Sequence, residues 1–378
     1  MKIALVTVSS LPSVGGAEFV IHHLACQWSQ QGHDVCVINA VTDQATHANG
    51  RYTVRRYRML RGTERYGFHR FPFQWYAVRG LGRQLREWRP DFISAHMGYP
   101  TAHWLSLLRP MPRFVTTCHG GDLTPEPWGY RRVYGIDGML RDALNASAAA
   151  IAISVHARQL MLELGVDDSK IVRIPNGVEW DRFQAKADFD LRGRLELPGR
   201  ALVVLSVGRD HPAKGYETGL RAFAEVARRV PEAYYVMLGR GVSRRESLAA
   251  ALEIRDRVRL CEGFHGPDLI GAYQQADIFF SSSVQEMFPL VVVEAMAAGL
   301  PAVVTNVSGS QDVVETGENG IVVQPGRPEE MAEALCRLLA DGALRRRLGE
   351  AGREKARSYD WDTVSRRYLE LAPGFPPT

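Results

Sequence analysis

SSSVQEMFPLVVVEAMAAGLPAVVT, residues 281–305, decides the fold. It follows Ile278-Phe279-Phe280, a short apolar run of the buried-strand kind. Ser281 to Phe288 is polar and irregular. Pro289 suits the first turn of a helix, Ala295 to Ala298 are strong helix formers, and Gly299 ends the helix. Pro301 to Thr305 then begins the next strand. The order strand, turn, helix, strand is the repeating unit of a parallel α/β sheet. Two carboxylates bracket the turn, Glu286 before the helix and Glu294 inside it.

A helix start carries unpaired N–H groups and the positive end of a dipole, which together make an anion site. The N–H groups near Phe288, Leu290 and Val291 are expected to point that way. Glu286 sits beside this site and can accept hydrogen bonds from sugar hydroxyls. Glu294 lies about 12 Å further along the helix axis, where a carboxylate suits the paired hydroxyls of a ribose. A lone pair of acids is more often a loop acid and a solvated helix residue. Glu294 argues otherwise, because it is embedded between Leu290-Val291-Val292-Val293 and Ala295-Met296-Ala297-Ala298. Acids in such runs are seldom buried without a partner.

Glu286-Met287-Phe288-Pro289 with Glu294-Ala295-Met296-Ala297-Ala298-Gly299 resembles the glutamate–seven–glutamate signature of retaining glycosyltransferases. It is similar in particular to family four, the group-one glycosyl transferases of the GT-B fold. The sequence departs from that pattern at Met287, where the family usually has Gly, and at Ser308-Gly309-Ser310, where a Gly-Gly pair is usual. The resemblance implies two Rossmann-like domains with parallel sheets facing a central cleft. It also implies a donor site built from Glu286, Met287, Phe288, Pro289, Leu290, Val291 and Glu294.

Upstream, Ala201 to Val207 reads as a strand running into Gly208-Arg209-Asp210-His211-Pro212-Ala213-Lys214-Gly215, with a helix from about Glu217 to Arg229. Arg209 and Lys214 share this loop, with four residues between them, and two fixed cations can neutralise a diphosphate leaving group as charge develops. Two ordinary surface cations would be the bland reading. The position after a strand, the flanking glycines and the match to the family's arginine–four–lysine pair favour function and make a metal ion unnecessary.

The first half opens with the same architecture. Lys2 to Val8 reads as a strand, and Ser9 to Gly16 as a loop ending in Gly15-Gly16. Ala17 to Trp28 reads as an amphipathic helix and Val35 to Asn39 as a second strand. The full dinucleotide fingerprint is absent, and the second strand ends in Asn39-Ala40, not in an acid, so NAD is disfavoured. Spacing alone leaves Gly15-Gly16 open between a tight turn and a phosphate approach; the resemblance implies that the pair faces the donor diphosphate. Strands at Asp91 to His96 and Arg113 to Cys118 follow, the latter running into His119-Gly120-Gly121-Asp122. A loop His is usually structural or simply exposed. The resemblance to the family's histidine-glycine-x-aspartate loop implies that His119 touches the donor sugar, and it makes Asp122 a candidate on the acceptor side. His96, ending the neighbouring strand, is a weaker acceptor-side candidate.

Pro175-Asn176-Gly177 marks a turn and resembles the family's interdomain linker. The expected domains are residues 1–177, joined by 358–378 crossing back, and residues 178–357. The first 177 residues carry 20 Lys+Arg against 13 Asp+Glu, and the remainder 26 against 29, so the positive charge sits in the first domain. Within residues 51–89, eleven Arg stand against two Glu among nine aromatics, including Tyr57, Tyr66, Phe68, Phe71, Phe73 and Trp75. That segment reads as a patch for an anionic acceptor or membrane surface, or as a solvated face hinged on aromatics. No RNA-binding signature accompanies it, so nucleic acid is not expected.

The length of 378 residues suits two domains, and 46% hydrophobic with 23% charged residues suits a globular protein with a sizeable core. Five Cys without ligand spacing argue for free thiols in a reducing compartment, with no zinc site. The start is too short in apolar residues for a signal peptide, and no run is long enough to span a membrane. The expected location is cytoplasmic, with peripheral membrane contact through residues 51–89 as an option.

The expected activity is retaining, metal-independent transfer of a hexosyl group from a UDP- or GDP-linked sugar to an acceptor hydroxyl, with no cofactor. Glycan, glycolipid or glycosylated-metabolite biosynthesis would be its setting. Its rivals are a nucleotide-sugar epimerase or phosphorylase of the same fold, and a non-catalytic nucleotide-sugar-binding protein. Sugar, base, acceptor and oligomeric state are not legible in the sequence.

Overall fold

The structure is a computed structural model that describes residues 1–8, 15–41, 51–60 and 67–375. Ser9 to Val14 of the expected glycine loop and Tyr66 of the basic aromatic segment lie outside the described residues. The chain falls into two compact units, Met1–Asn176 with Trp361–Thr378, and Gly177–Asp360.

The first unit is built on seven strands: β1 Lys2–Thr7, β2 Asp34–Val41, β3 Thr53–Arg58, β4 Phe92–His96, β5 Val115–Cys118, β6 Ala149–Ala152 and β7 Ile171–Arg173. They lie in the order β3-β2-β1-β4-β5-β6-β7, every ladder parallel. The all-apolar runs Ile3 to Val6 and Val35 to Ile38 are what a strand covered on both faces requires. Helices α1 Gly16–Gln30, α2 Phe73–Trp88, α3 Asp137–Ala146 and α4 Val155–Leu164 serve this sheet. The helix Trp361–Leu369, which enters the same unit from the far end of the chain, closes its core. Trp28 Nε1 donates to Ser365 O at 3.1 Å, and the Trp28 and Tyr368 rings meet edge-on at 6.1 Å.

The basic aromatic segment contains β3, an edge strand, and α2, which begins at Phe73. β3 hides because Arg55, Arg56 and Arg58 break its apolar alternation. Arg55 instead lies along α2, donating to Gln84 Oε1 at 2.8 Å and to Glu87 Oε2 at 2.6 Å.

The second unit holds β8 Leu202–Val207, β9 Ala233–Leu238, β10 Val258–Cys261, β11 Ile278–Ser281, β12 Ala302–Thr305 and β13 Gly320–Val323. Their order is β10-β9-β8-β11-β12-β13, again all parallel. Helices α5 Tyr216–Arg229, α6 Gly266–Gln275, α7 Leu290–Ala297, α8 Pro328–Ala340 and α9 Gly342–Ala356 flank it; α10 is the returning Trp361–Leu369. Val204, Leu220, Phe223, Tyr235, Phe280 and Leu335 share its buried core. Residues 180–200 include short helices Trp180–Gln184 and Leu191–Arg194.

The strand order reverses between β1 and β4 in one sheet and between β8 and β11 in the other. At such a reversal the loops leaving neighbouring strands diverge to opposite faces and open a crevice beyond the strand C-termini. The loops that follow β8 and β11 carry Arg209, Lys214 and Glu286.

Candidate functional site

The loop after β8 is shaped by backbone that only glycine adopts readily. Gly208 has φ +153°, and a Cβ there would lie 3.0 Å from Tyr216 Oη and 3.4 Å from Lys214 Cε. The missing side chain lets Lys214 fold back over the strand end, while Tyr216 Oη donates to Gly208 O at 2.9 Å. Gly215, at φ +58°, lets the loop touch its neighbour; a Cβ there would lie 2.2 Å from Ser282 O. Ser282 Oγ donates to Lys214 O at 3.0 Å, and Val284 N donates to Ala213 O at 2.8 Å. The β8 and β11 loops are thus sewn together by main-chain contacts.

That seam brings Lys214 and Glu286 together. Lys214 Nζ donates to Glu286 Oε1 at 2.5 Å, and Ser283 Oγ donates to the same oxygen at 2.9 Å. The side chains are 22% and 11% exposed, so the pair is shielded yet open to a ligand. Arg209 stands on the same loop and forms no ion pair among the described residues. Its neighbour Asp210 is held by Arg245, whose Nε and Nη2 donate to Oδ1 at 2.9 and 2.6 Å. Burial lowers the pKa of His211 between these groups, with Arg209 and Lys214 adding to the shift, so the imidazole is neutral at pH 7.

The helix start differs from expectation in one respect. Pro289 is the N-cap of α7, with φ −86° and ψ 75°, not its first helical residue. Leu290 N donates to Phe288 O at 3.1 Å, so of the three N–H groups expected to face an anion this one is already engaged. Met287 and Gly309 are tied by main chain: Gly309 N donates to Glu286 O at 3.1 Å, and a Cβ on Gly309 would lie 2.7 Å from Met287 O. This close approach accounts for a glycine at position 309. Ser310 Oγ is buried without a hydrogen-bond partner. Met287 keeps negative φ, so its backbone does not demand glycine.

Glu294 lies deeper. Tyr273 Oη donates to Glu294 Oε2 at 2.8 Å. Burial raises the Glu294 carboxyl to a pKa of about 7, against the lowering by the Tyr273 hydrogen bond. The partner expected for an acid in this apolar run is therefore Tyr273. Sequence periodicity carries no signal for it, since it lies on another helix 21 positions away. Arg245, 35 positions from Asp210, was missed for the same reason, whereas Ser283 stands only three positions before Glu286 and carries no mark of its contact.

In the first unit, His96 Nδ1 lies 2.9 Å from His119 Nε2. Burial lowers His119 to about 4, and burial with the neighbouring His119 lowers His96 well below its usual value. His119 reaches the surface, whereas His96 is fully buried behind it. Asp122 is fully buried too; its Oδ2 accepts from Gly98 N at 2.6 Å and its Oδ1 from His119 N and Gly120 N, both at 3.2 Å. His96 and Asp122, the expected acceptor-side residues, are both buried, and Asp122 braces the loop that carries His119. Gly15 caps α1 without a side-chain hydrogen bond, and a Cβ there would lie 2.1 Å from Glu18 Oε2, so an acid rather than open space lies over this helix start.

The basic segment presents Phe71, Trp75 and Tyr76 to solvent, and the Arg79 guanidinium lies 4.6 Å from the Trp75 ring centre. Among the described residues, no helix is long and apolar enough to cross a membrane, and no cluster of three or more His, Cys, Asp or Glu is placed to hold a metal ion.

Residues 188–355 match the family described as Glycosyl transferases group 1, and residues 14–182 match Glycosyltransferase Family 4. The chain is 32% identical over 264 residues to the D-inositol 3-phosphate glycosyltransferase of Salinispora tropica, covering 65% of this chain and 54% of that protein. It is 25% identical over 417 residues to the protein of that name from a Nocardioides species, covering 98% and 89%. The matched part spans about half the length of the first of these relatives. Sucrose-phosphate synthase from Thermosynechococcus elongatus superposes with a TM-score of 0.84 at 23% identity, over 98% of both chains. Anabaena HepE in complex with UDP-glucose superposes with a TM-score of 0.78 at 20% identity, over 99% of this chain and 100% of that one. The architecture is the GT-B fold.

Proposed function

We propose that this chain, which belongs to the group 1, family 4 glycosyltransferases, moves a hexosyl group from a nucleoside-diphosphate sugar to an acceptor hydroxyl with retention of configuration. The observation that carries the reading is the contact of Lys214 and Ser283 on one oxygen of Glu286 at the β8/β11 reversal. A cation and a carboxylate side by side are complementary to a molecule with a diphosphate at one end of a sugar and hydroxyls at the other.

In this reading Lys214 and Arg209 take the diphosphate oxygens, and their charge stabilises the leaving group as the glycosidic bond breaks. Glu286, released from Lys214, accepts hydrogen bonds from the hexose hydroxyls. Glu294 accepts from the ribose hydroxyls, with Tyr273 holding its second contact. The leaving phosphate takes the acceptor's proton on the face from which it departs, which accounts for retention. Two fixed cations supply the charge, so the reaction needs neither metal nor cofactor. The name and contents of the HepE complex make UDP-glucose the first donor to try. The face of α2 with Trp75 and Arg79 is the part of residues 51–89 that would meet an anionic lipid surface, and vesicle sedimentation tests that contact.

The test is calorimetric titration with UDP, GDP, ADP and NAD in chelator, followed by magnesium. Metal-free binding of one nucleoside diphosphate, then its release from the matching sugar donor on adding acceptor, is the expected result. Binding of NAD alone, or of none, would overturn the reading.

A further inference from the structure

Ser94, His96 and His119 form a hydrogen-bonded row that the proposed reaction does not itself require. Ser94 Oγ lies 3.3 Å from His96 Nε2, and His96 Nδ1 lies 2.9 Å from His119 Nε2. The rings are within 16° of parallel, with centres 5.2 Å apart. Taken with the 2.9 Å nitrogen contact, that spacing is two rings meeting edge to edge in nearly one plane, as an N–H···N hydrogen bond requires. Ser94 in the middle of β4 and His96 at its end are fully buried; His119 begins the loop after β5 and is the one member that reaches the surface.

With both rings neutral, one proton lies between them, and the row can be wired in two ways. In the first, the Ser94 hydroxyl donates to His96 Nε2, His96 Nδ1–H donates to His119 Nε2, and His119 carries its own proton on Nδ1. In the second, every bond reverses: His119 Nε2–H donates to His96 Nδ1, His96 Nε2–H donates to Ser94 Oγ, and the Ser94 proton is left without an acceptor. No other hydrogen bond of the Ser94 hydroxyl is present among the described residues. A buried donor left unpaired is costly, whereas an idle hydroxyl lone pair is cheap, so the first wiring is preferred.

We infer that Ser94 and His96 are positioning residues that lock His119 as the Nδ1–H tautomer, so that it offers a hydrogen-bond donor, and not a base, to a sugar hydroxyl oxygen. Only the identity of that oxygen rests on the transferase reading; the tautomer does not.

The experiment is a long-range ¹H–¹⁵N spectrum of the full chain labelled with ¹⁵N-histidine, recorded near neutral pH without ligand. Protonated Nδ1 and bare Nε2 on both His96 and His119 are expected. Ser94→Ala should turn the His119 signals into a tautomer mixture. His96→Phe should do the same and lower kcat/KM about tenfold, the size of one lost hydrogen bond. His96→Asn, whose amide can stand where Nδ1–H stood, should restore both. A wild-type spectrum with the proton on His119 Nε2 would overturn the inference whatever the variants do. The expected spectrum in a chain that binds no nucleoside diphosphate would uphold the lock and remove only the transferase reading.

Discussion

Lys214 and Glu286 stand 72 positions apart in the chain, yet their side chains meet at 2.5 Å across the seam of the β8 and β11 loops. The two were expected to serve different ends of a donor, one the diphosphate and the other the sugar. Their pairing sets the two charges against each other, so a donor must exchange this contact for its own. A shielded cation and anion each lose solvation, and removing one strands the other.

Lys214→Ala should therefore lower turnover by roughly 10²–10³, the range for losing one fixed charge-stabilising group. Glu286→Gln should fall similarly, and the double variant should be little worse than either single, because the residues act as a unit. Steady-state kinetics on the three variants checks this. Strictly multiplicative losses would mean that the pair acts as two independent groups.

Glu294 should make stability fall with rising pH. Burial raises its carboxyl to about 7 in the folded chain, against an ordinary value of 4.5. The folded state therefore holds the extra proton between those values, and stability is lost as pH rises through that window. Glu294→Gln lacks this loss, so its stability relative to wild type should increase from pH 4.5 to 7 and then level off. At roughly 1.4 kcal/mol per pKa unit, the gain is at most about 3.5 kcal/mol. Urea unfolding at several pH values measures it, and nucleotide affinity should fall in the same variant.

The histidines of the first unit act with the opposite sign. His103 and His119 are lowered to about 4, and His96 falls well below its usual value. The unfolded chain binds more protons below 6.5, so stability present above that pH is lost as pH falls toward 4. Hydrogen exchange should show β4 and β5 losing protection in this range.

Gly215→Ala should cost more than a surface substitution. It places a Cβ 2.2 Å from Ser282 O at a φ of +58°. A destabilisation of about 1–3 kcal/mol is expected, with an added loss of turnover because Lys214 moves with the loop. Gly317→Ala, at φ +83° with nothing within 4 Å, carries the backbone strain without the clash and serves as the control. Comparable turnover in both variants would show that the Ser282 contact does not hold the site.

Much of the architecture was legible because buried parallel strands are continuous apolar runs that no surface element imitates; β1, β8 and β12 are plain in the chain. β3 was not, since an edge strand bearing three arginines lacks that mark. The loop residues Arg209, Lys214, Glu286 and His119 could be singled out because each follows a strand. Their partners could not. Tyr273 on Glu294 is set by a tertiary distance that has no period in sequence, whereas Ser283 and Ser94 stand three and two positions from Glu286 and His96 and carry no mark of the contact they make. The burial of Asp122 likewise depends on Gly98, which lies 24 positions upstream.

The helix Trp361–Leu369 has a consequence for how the chain is made. It supplies Trp361, Val364, Tyr368 and Leu369 to the core that also holds Ile3, Leu5 and Trp28. During synthesis these residues emerge only after all of Gly177–Asp360 has left the ribosome. At about 5–20 residues per second, the first sheet waits on the order of ten seconds or more with an apolar slot uncovered. The unit begun first is thus finished last, and nascent chains paused before residue 361 would be the form most in need of a chaperone.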